Sequence, residues 1–348
     1  MAASSPKAVG LCLFLFLASA LLTLTFRSPH SSRHWPNYRS KNKHSDLQQA
    51  SQVAFATFLG GNTNTDVRTI KMEEDEDTND EDDGYFLATR VLAYQLLHSP
   101  VTGTNSSIPL LVFVTPNVSA RKVARLRSDG ATVIEVEQVG TGQREDSATT
   151  RGRDNLSKLQ MWAHTQYKKI CYISPNVLIT KRLDGIFWDE GTISQSTLAN
   201  QGEIKQEEAA LPRTYSFSAH AEFWGYDHPY PPRVEGTTFN SHFFVFVPDK
   251  AVQRYYSGLL GRFDGEEADK DLLNYAHRRE GNMPWKPLWY GWNIEWPTER
   301  DWRSGAASFT AKFWDGDSGH DPTLKAMWRE TRAEMMGYHM GRDAAKED

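Results

Sequence analysis

The segment Asp154–Glu190, DNLSKLQMWAHTQYKKICYISPNVLITKRLDGIFWDE, decides the fold prediction. Leu156, Leu159 and Trp162 recur at helical spacing, which predicts an amphipathic helix. A short apolar strand, ICYI, follows this helix and runs directly into the loop Ser174-Pro175-Asn176. Because open α/β sheets bind ligands at the carboxyl ends of their strands, this loop is predicted to line a binding site.

The region before this segment alternates strands and helices. Apolar strands are predicted at Val53–Leu59, Ile108–Thr115 and Ala131–Val136, with helices at Tyr85–His98 and Ser119–Ser128. Such alternation indicates a parallel sheet covered by helices. A Rossmann dinucleotide fold would require the motif G-x-G-x-x-G directly after the first strand. Gly60-Gly61-Asn62 does not supply that motif.

The region after the segment is less regular. Gly191–Pro232 shows no periodicity and predicts a surface loop or lid near a site. Helices are predicted at Asp249–Leu260, Asp271–Arg279 and Pro322–Gly341, and the last of these is followed by a polar tail. The two cysteines, Cys12 and Cys171, lie in separate apolar runs and are not expected to form a disulfide.

The central segment resembles the glycogenin-like glycosyltransferases of family 8. In that family a helix with the pattern TKLxxW leads to a strand that ends in DADTLV and then to IDxLF. This chain reads SKLQMW, ICYISPNVLI and RLDGIF in the same order. The two aspartates of the family motif hold a divalent metal, usually manganese, against the diphosphate of a sugar nucleotide. Ser174 and Asn176 stand at those two positions.

Later segments resemble the same family. The sequence FNSHFFVFVP (239–248) is similar to FNSGxFVxxPS, and DGEEADKDLLN (264–274) is similar to DGGDQGLLN. The stretch MPWKPLWYGWNIEWP (283–297) matches the pattern MPWxxLxxxWNxxWP of fungal-type members. The metal-binding histidine of the family corresponds to a position in SFTAKFW (308–314), where Thr310 or one of its neighbours stands and no histidine is present.

The resemblance implies a GT-A-type α/β fold with a mostly parallel central sheet flanked by helices. It also implies retaining transfer of a hexose from a nucleotide sugar, a UDP-sugar, to a glycan or protein acceptor. Asp269 and Asn240 would contact the transferred sugar as catalytic residues. The donor would be bound by Thr57, Tyr85, Lys158, Ser174, Asn176 and Lys312. Asp269 is also suited to be the N-cap of the helix that follows it.

Metal binding is the main departure from the family. A divalent ion would neutralise the charge that develops on the leaving diphosphate, and Mg²⁺ or Mn²⁺ prefers oxygen ligands, chiefly carboxylates. Ser174 and Asn176 offer only neutral oxygens, and Thr310 offers no imidazole. Manganese is implied by the resemblance, but its ligands are missing, and no metal ligand is assigned.

Three functional alternatives stay open from the sequence. The chain can transfer sugar without a metal, with Lys158, Lys270 or Lys312 stabilising the charge. It can instead take metal ligands from elsewhere, such as Asp269, Asp271 or the acidic run. It can also be a catalytically inactive GT-A-fold protein that binds a sugar nucleotide or a glycan. A more distant hypothesis is a secreted α/β protein that resembles the family only in its architecture.

Two features allow both a functional and a structural interpretation. The tryptophans of Met283–Trp302 can stack on the sugar of an acceptor or simply fill the core. His242 stands where the family has glycine, so it can act on the sugar or bind metal, or it can be a packed or solvent-facing side chain.

The domain organisation is predicted from the composition of successive segments. The predicted parts are an N-terminal signal anchor at 1–26, a polar stem at 27–52, one glycosyltransferase-like domain at 53–342 and a tail at 343–348. The acidic run 73–83 is interpreted as a solvated insertion in that domain.

The predicted location follows from the N-terminus. Ala8–Phe26 carries no charge and is long enough to cross a bilayer as a type II anchor; with cleavage at Ala18-Ser19-Ala20 it would instead be a signal peptide and the protein secreted. Asn105, Asn117 and Asn155 begin glycosylation triplets. The expected location is the membrane of the secretory pathway, facing the lumen of the Golgi or endoplasmic reticulum. No nucleic-acid partner is expected.

Overall fold

The computed structural model describes residues 52–61, 83–104, 107–139, 150–199, 208, 210–232, 236–316 and 319–347. The predicted anchor at 1–26, the stem up to residue 51, the acidic residues before Asp83 and the glycosylation triplet residue Asn105 lie outside these ranges. In the part of the chain that the structure describes, no helix is both long enough and apolar enough to cross a membrane.

The main elements are twelve strands and seven α-helices among the described residues. The strands are β1 Val53–Leu59, β2 Leu110–Val114, β3 Thr132–Glu135, β4 Lys169–Ile173, β5 Val177–Ile179, β6 Gln195–Ser196, β7 Thr214–Tyr215, β8 Phe217–Ala221, β9 Phe239–Phe246, β10 Lys286–Pro287, β11 Ile294–Glu295 and β12 Ser308–Thr310. The helices are α1 Gly84–Leu97, α2 Ala120–Ser128, α3 Thr150–Ser157, α4 Lys250–Leu259, α5 Ala268–Ala276, α6 Glu299–Arg303 and α7 Pro322–Glu347.

Seven strands form the central sheet, in the order β10-β8-β9-β4-β1-β2-β3. The pairs β1–β2, β2–β3, β1–β4 and β8–β10 are parallel, whereas β9 runs antiparallel to both β4 and β8. Apolar side chains are buried on both faces of the sheet beneath helices, as expected for strands covered on both sides. The predicted α/β architecture with a mostly parallel central sheet is therefore confirmed.

A second sheet of three strands brings distant loops together. Strand β5 leaves the central sheet and pairs antiparallel with β12, so that Val177 lies opposite Thr310. Strand β11 adds to the other side of β12, with Glu295 opposite Thr310. The Ser174–Asn176 loop therefore lies beside the segment that corresponds to the metal-binding histidine of the family.

Three local expectations were wrong. Segment 191–232 is not irregular throughout, since it contains β8, a buried strand of the central sheet. The helix of the central segment is split into α3 and a 3₁₀ turn, Lys158–Ala163, where Trp162 stacks on Phe246 at a centroid distance of 3.9 Å. Helix α7 extends to Glu347 and so continues beyond its predicted end at Gly341.

Asp129 ties the last helix to the rest of the domain. Its fully buried carboxylate lies 2.7 Å from Arg90 Nε of α1 and 2.9 Å from Arg125 Nε of α2. His339 Nδ1 of α7 lies 3.3 Å away, and burial lowers the pKa of that histidine to about 4, although Asp129 acts in the opposite direction. One buried anion thus contacts three helices.

Replacing this anion will destabilise the domain. In Asp129→Ala, the guanidinium groups of Arg90 and Arg125 lose their buried partner, and the free energy of unfolding should fall by about 3 kcal/mol. Urea denaturation followed by circular dichroism measures the loss. The matched control is Glu135→Ala, which removes an exposed ion pair with Arg127 and should change stability by less than about 0.5 kcal/mol. Equal effects of the two substitutions would contradict the role of Asp129.

Candidate functional site

The candidate site lies at the carboxyl end of β4, beside the beginning of its antiparallel neighbour β9. The loop Ser174-Pro175-Asn176 follows β4, and Ser174 N–H donates to the carbonyl of His242 at 2.8 Å. Strand β9 starts with a bulge: Ala219 pairs with Phe244, but Ala221 already pairs with Phe239. Because β9 takes five steps where β8 takes two, β9 has three extra residues opposite β8.

Two side chains hold this bulge in shape. Asn240 Oδ1 accepts a hydrogen bond from the backbone N–H of His242 at 2.7 Å. The side chain of Asn274, on α5, bonds both the N–H and the carbonyl of Phe239 at 2.9 Å. The predicted sugar contact Asn240 therefore lies at the site, and its side-chain oxygen shapes the backbone there.

A buried ion pair joins Lys158 and Asp269 beneath the bulge. Lys158 begins the 3₁₀ turn and Asp269 lies in the first turn of α5, and their side chains are only 7% and 4% exposed. Ser241 Oγ donates to the same carboxylate at 3.2 Å. Asp269 is not the N-cap of its helix, because that position belongs to Glu267. The N-cap interpretation of Asp269 was wrong, and its carboxylate faces the site instead.

The environment keeps Lys158 charged. Burial alone would lower the pKa of its ammonium group, but the Asp269 carboxylate, Tyr172 and Glu267 act in the other direction, and the pKa is raised. The Lys158 Nζ atom lies 5.2 Å from the centroid of the buried Tyr172 ring. A fixed positive charge is therefore present beside the end of β4.

Tyr172 connects this charge to the Ser174 loop. Burial raises the pKa of its phenol, and a side-chain hydrogen bond with Ser174 partly offsets the rise. Tyr85 also acts electrostatically on Tyr172 and raises its pKa.

Aromatic and basic side chains pack together at the beginning of α1. Tyr85 packs edge-on against Trp314 at a centroid distance of 5.1 Å, and Lys312 Nζ lies 5.6 Å from the Tyr85 ring centroid. A Cβ atom on Gly84 would lie only 2.3 Å from Trp314 Nε1, so this close packing requires glycine. The structure therefore brings Tyr85 and Lys312 together.

Thr57 occupies a different position from the other predicted donor residues. It is fully buried in β1, and its hydroxyl makes no hydrogen bond within the described residues. Strand alternation puts it on the face of Phe55 and Leu59, whereas Ala56, in register with Tyr172, belongs to the opposite face. The structure does not bring Thr57 to the Lys158 pair.

The residues at the metal positions of the family do not fit a tightly held divalent ion. The Thr310 hydroxyl is engaged with Asn293, at 2.9 Å from Nδ2 and 3.1 Å from Oδ1. Ser174 and Asn176 offer only neutral oxygens, and Asn176 Oδ1 is buried without a hydrogen-bond partner among the described residues. No group of three or more histidine, cysteine or carboxylate side chains in the described ranges could hold a metal ion.

His242 and Glu295 form a polar pair beside these positions. The two side chains approach to 3.4 Å, with the Glu295 side chain 9% and the His242 side chain 42% exposed. Burial raises the pKa of Glu295, and His242 partly offsets the rise. His242 therefore faces solvent on one side and a buried carboxylate on the other.

The charge of Lys270 is balanced by two carboxylates. Its Nζ atom donates to Glu222 at 2.9 Å and to Glu267 at 2.7 Å. Burial alone would lower the pKa of Lys270, but both carboxylates raise it, and the net change is upward. Among the proposed charge stabilisers Lys158, Lys270 and Lys312, Lys270 is therefore the one that is paired with two carboxylates.

Several residues at the site were not assigned from sequence. They are Tyr172, Ser241, Glu222 and Glu295. Ser241 and Tyr172 lie inside motifs that carried the resemblance, so their neighbours Asn240 and Ser174 were a usable signal. Glu222 lies in the segment predicted to be irregular, and no sequence pattern marks it.

No family model matches the chain. Two proteins of Schizosaccharomyces pombe, both described only as uncharacterized, are 29% and 28% identical to it over 291 and 292 residues. Each match covers 74% of this chain and 76% or 77% of the relative.

Similar solved structures are glycosyltransferases. They include the galactosyltransferase LgtC in complex with donor and acceptor sugar analogues, with a TM-score of 0.43, 12% identity and coverage of 81% of this chain and 95% of that chain. Mouse xyloside xylosyltransferase 1 has a TM-score of 0.42 and 13% identity, and the match covers 74% of this chain and 97% of that chain. The apo form of GlyE of Streptococcus pneumoniae has a TM-score of 0.47 and 12% identity, and the match covers 84% of this chain and 64% of that chain. Identities and TM-scores of this size do not assign a function to the chain.

The buried ion pair makes a direct stability prediction. Lys158→Met leaves the Asp269 carboxylate unpaired, and Asp269→Asn leaves the Lys158 ammonium unpaired, so each should lower the free energy of unfolding by about 3 kcal/mol. The double variant should lose less than the sum, with a coupling energy above about 1 kcal/mol. Urea denaturation of the four proteins measures this cycle.

The control cycle uses the exposed pair Glu299–Arg303, whose side chains are 38% and 69% exposed. Its coupling energy should stay below about 0.5 kcal/mol, as for other exposed helical pairs. Additive effects in the Lys158–Asp269 cycle would show that the two charges do not interact in solution.

Proposed function

We propose that this chain is a glycosyltransferase of GT-A fold and family 8 type. It transfers a hexose from a nucleotide sugar, a UDP-sugar, to a glycan or protein acceptor, and it does so without a tightly held divalent ion. The observation that carries the proposal is the buried Lys158–Asp269 pair at the carboxyl end of β4. The order of family motifs in the sequence supplies the reaction type.

The placement of this pair favours a functional role. A buried ion pair adds little net stability, because the desolvation of two charges offsets most of their attraction. Perturbed ionisable groups beside a ligand-binding edge are typical of functional sites. Ser241 and the bulge of β9 orient Asp269 towards that edge, so its carboxylate is suited to bind hydroxyls of the transferred sugar.

Lysine side chains supply the positive charge that the metal would otherwise supply. Lys158 stays protonated beside Tyr172, and Lys312 lies over Tyr85. Preorganised cations stabilise the negative charge that develops on a leaving diphosphate. Asn176 Oδ1, which is buried without a partner among the described residues, is suited to accept a hydrogen bond from the donor.

The competing function is a catalytically inactive protein of the same fold that binds a sugar nucleotide or a glycan. The neutral set Ser174, Asn176 and Thr310 is the observation that favours it. The two functions differ in whether donor binding is followed by turnover.

Donor binding without metal is the first expected result. Calorimetric titration of UDP, UDP-glucose and UDP-galactose into the full chain should show binding that is the same with manganese and with EDTA. Lys158→Ala should weaken that binding at least tenfold, because it removes the buried cation. Lys168→Ala, which removes an exposed lysine of the same segment, should leave it unchanged.

Other outcomes of the titration would change the proposal. Binding that requires manganese would mean that metal ligands come from outside the Ser174 loop. Binding without sugar release or transfer in a product assay would favour the inactive alternative. An absence of binding to all three nucleotides would reject a UDP-sugar as the donor.

The lumen of the secretory pathway is the proposed location. The apolar segment Ala8–Phe26 and the glycosylation triplets support it. Asn117 is exposed at the turn before α2, whereas Asn155 is half-buried and donates from Nδ2 to the carbonyl of Glu266 at 2.9 Å. Only the first of these two asparagines is free to carry a glycan in the folded domain.

Glycan mapping tests this location. In secretory expression, Asn117→Gln should reduce the mass of the chain by one glycan that endoglycosidase treatment removes from the wild type. The matched variant Asn155→Gln should retain the mass of the wild type. An unglycosylated wild-type chain would remove the support that the triplets give to a lumenal location.

A further inference from the structure

Three aromatic side chains form a platform on the surface near the site. Trp224 is 72% exposed, compared with 38% for Trp188. Its ring centroid lies 5.9 Å from that of Trp296, and the Tyr226 ring meets Trp296 edge-on at 5.2 Å. We call Trp224, Tyr226 and Trp296 the aromatic platform. By contrast, Trp285 and Trp292 of the same tryptophan-rich region are buried in the core.

Polar groups border the platform. Lys270 Nζ lies 5.9 Å from the Trp224 ring centroid and bonds Glu222. The Tyr226 hydroxyl bonds His320 Nδ1 at 2.7 Å. Aromatic faces with a few fixed polar groups around them are typical of small-molecule sites. A pyranose ring, which has apolar C–H faces and a rim of hydroxyls, matches this combination.

The platform is continuous with the candidate site. Trp224 follows Glu222 by two residues, and Trp296 directly follows Glu295. Glu222 and Lys270 both influence the pKa of Glu295, whose carboxylate contacts His242. Lys270 in turn directly follows Asp269 of the buried ion pair. The platform therefore begins where the proposed donor site ends.

The backbone fixes the orientation of Trp296. Its φ angle is +47°, in the left-handed region that a bulky residue rarely adopts. Its carbonyl oxygen lies 3.3 Å from His228 Nε2. Non-glycine residues held in this region are concentrated at functional sites. The exposed aromatic side chains are the main indication of a binding surface, and the strained backbone of Trp296 is consistent with it.

The charges around the platform select the kind of sugar. Glu222 and Glu267 share the charge of Lys270, and Glu295 is a further acid beside His242. A carboxylated sugar on Trp224 would lie beside these acids, and Lys270 is already paired with two of them. A neutral sugar meets no such repulsion.

We propose that the aromatic platform is the acceptor subsite and that it binds a neutral pyranose of a glycan. The ring stacks on Trp224 and Trp296, and its hydroxyls bond Lys270 and Glu222. This inference rests on the proposed glycosyltransferase function, because it takes the donor to be bound beside Lys158 and Asp269.

Binding to immobilised glycans tests the subsite. The full chain, with UDP present, is applied to an array of glucose-, galactose- and mannose-terminated neutral oligosaccharides and their sialylated counterparts. The wild-type protein should bind at least one of the neutral oligosaccharides, and it should bind the sialylated counterpart of that oligosaccharide more weakly. Trp224→Ala should lower the affinity for that glycan at least tenfold, and Trp224→Phe should restore part of it. Trp188→Ala, at another exposed tryptophan that packs on Phe187, should bind like the wild type.

Donor binding separates this inference from the proposed function. Trp224→Ala should bind UDP by calorimetry as the wild type does, because Trp224 is exposed and is not part of the Lys158 pair. Glycan binding that depends on Trp224 in a chain that binds no nucleotide would support the subsite and reject the donor function. Nucleotide binding together with glycan affinity that Trp224→Ala leaves unchanged would overturn the subsite alone. Failure to bind any neutral glycan, or a preference for sialylated glycans, would also overturn it.

Discussion

The site depends on the antiparallel pairing of β9 with β4. This pairing inserts β9 between β4 and β8 and places the start of β9 over the end of β4. The bond from the Ser174 N–H to the His242 carbonyl continues this β4–β9 ladder by one step. The three extra residues of β9 lie on its other edge, opposite β8, and Ser241 within them donates to Asp269. The pairing with β4 thus fixes the loop, and the irregular edge towards β8 contains the residue that contacts Asp269.

The electrostatics of the site follow from its burial. A lone Lys158 or Asp269 in this position would be strongly disfavoured, since transfer of an unpaired charge from water to the protein interior is costly. Together they form a neutral unit in which a fixed cation and a fixed anion are in direct contact. In place of the carboxylates that would hold a metal, the loop has the hydroxyl of Ser174 and the amide of Asn176. Charge at this site is thus supplied by the chain itself.

The architecture of the chain could be predicted from sequence because its elements are locally encoded. Strands β1, β2 and β4 are continuous apolar runs, and α2 and α4 follow clear polar caps at Ser119 and Asp249. Strand β8 was missed because FSAHA is short, contains a histidine and lies among residues without periodicity. Its identity as a strand comes from pairing with β9, which is a tertiary property.

The candidate site could be predicted only in part. Lys158, Ser174, Asn176 and Asp269 stand in motifs, so their importance could be inferred before their positions were known. The contact between Lys158 and Asp269 joins residues from separate elements, and no local pattern distinguishes that role for Asp269 from an N-cap. Helix α5 begins one residue earlier than Asp269, which turns its carboxylate from the helix end to the site.

The tryptophan-rich region shows the same limit at the side-chain level. Composition gives Trp285, Trp292 and Trp296 equal weight, yet the first two are in the core and the third meets the exposed Trp224 from a different segment. A tryptophan is apolar enough for the interior and has a face that binds sugars, so its type alone decides nothing. What decides is whether a second aromatic ring and a polar border meet it at the surface. That condition is satisfied beside Lys270, one residue beyond the buried ion pair, and this adjacency links a proposed donor site to a proposed acceptor site through a single turn of helix.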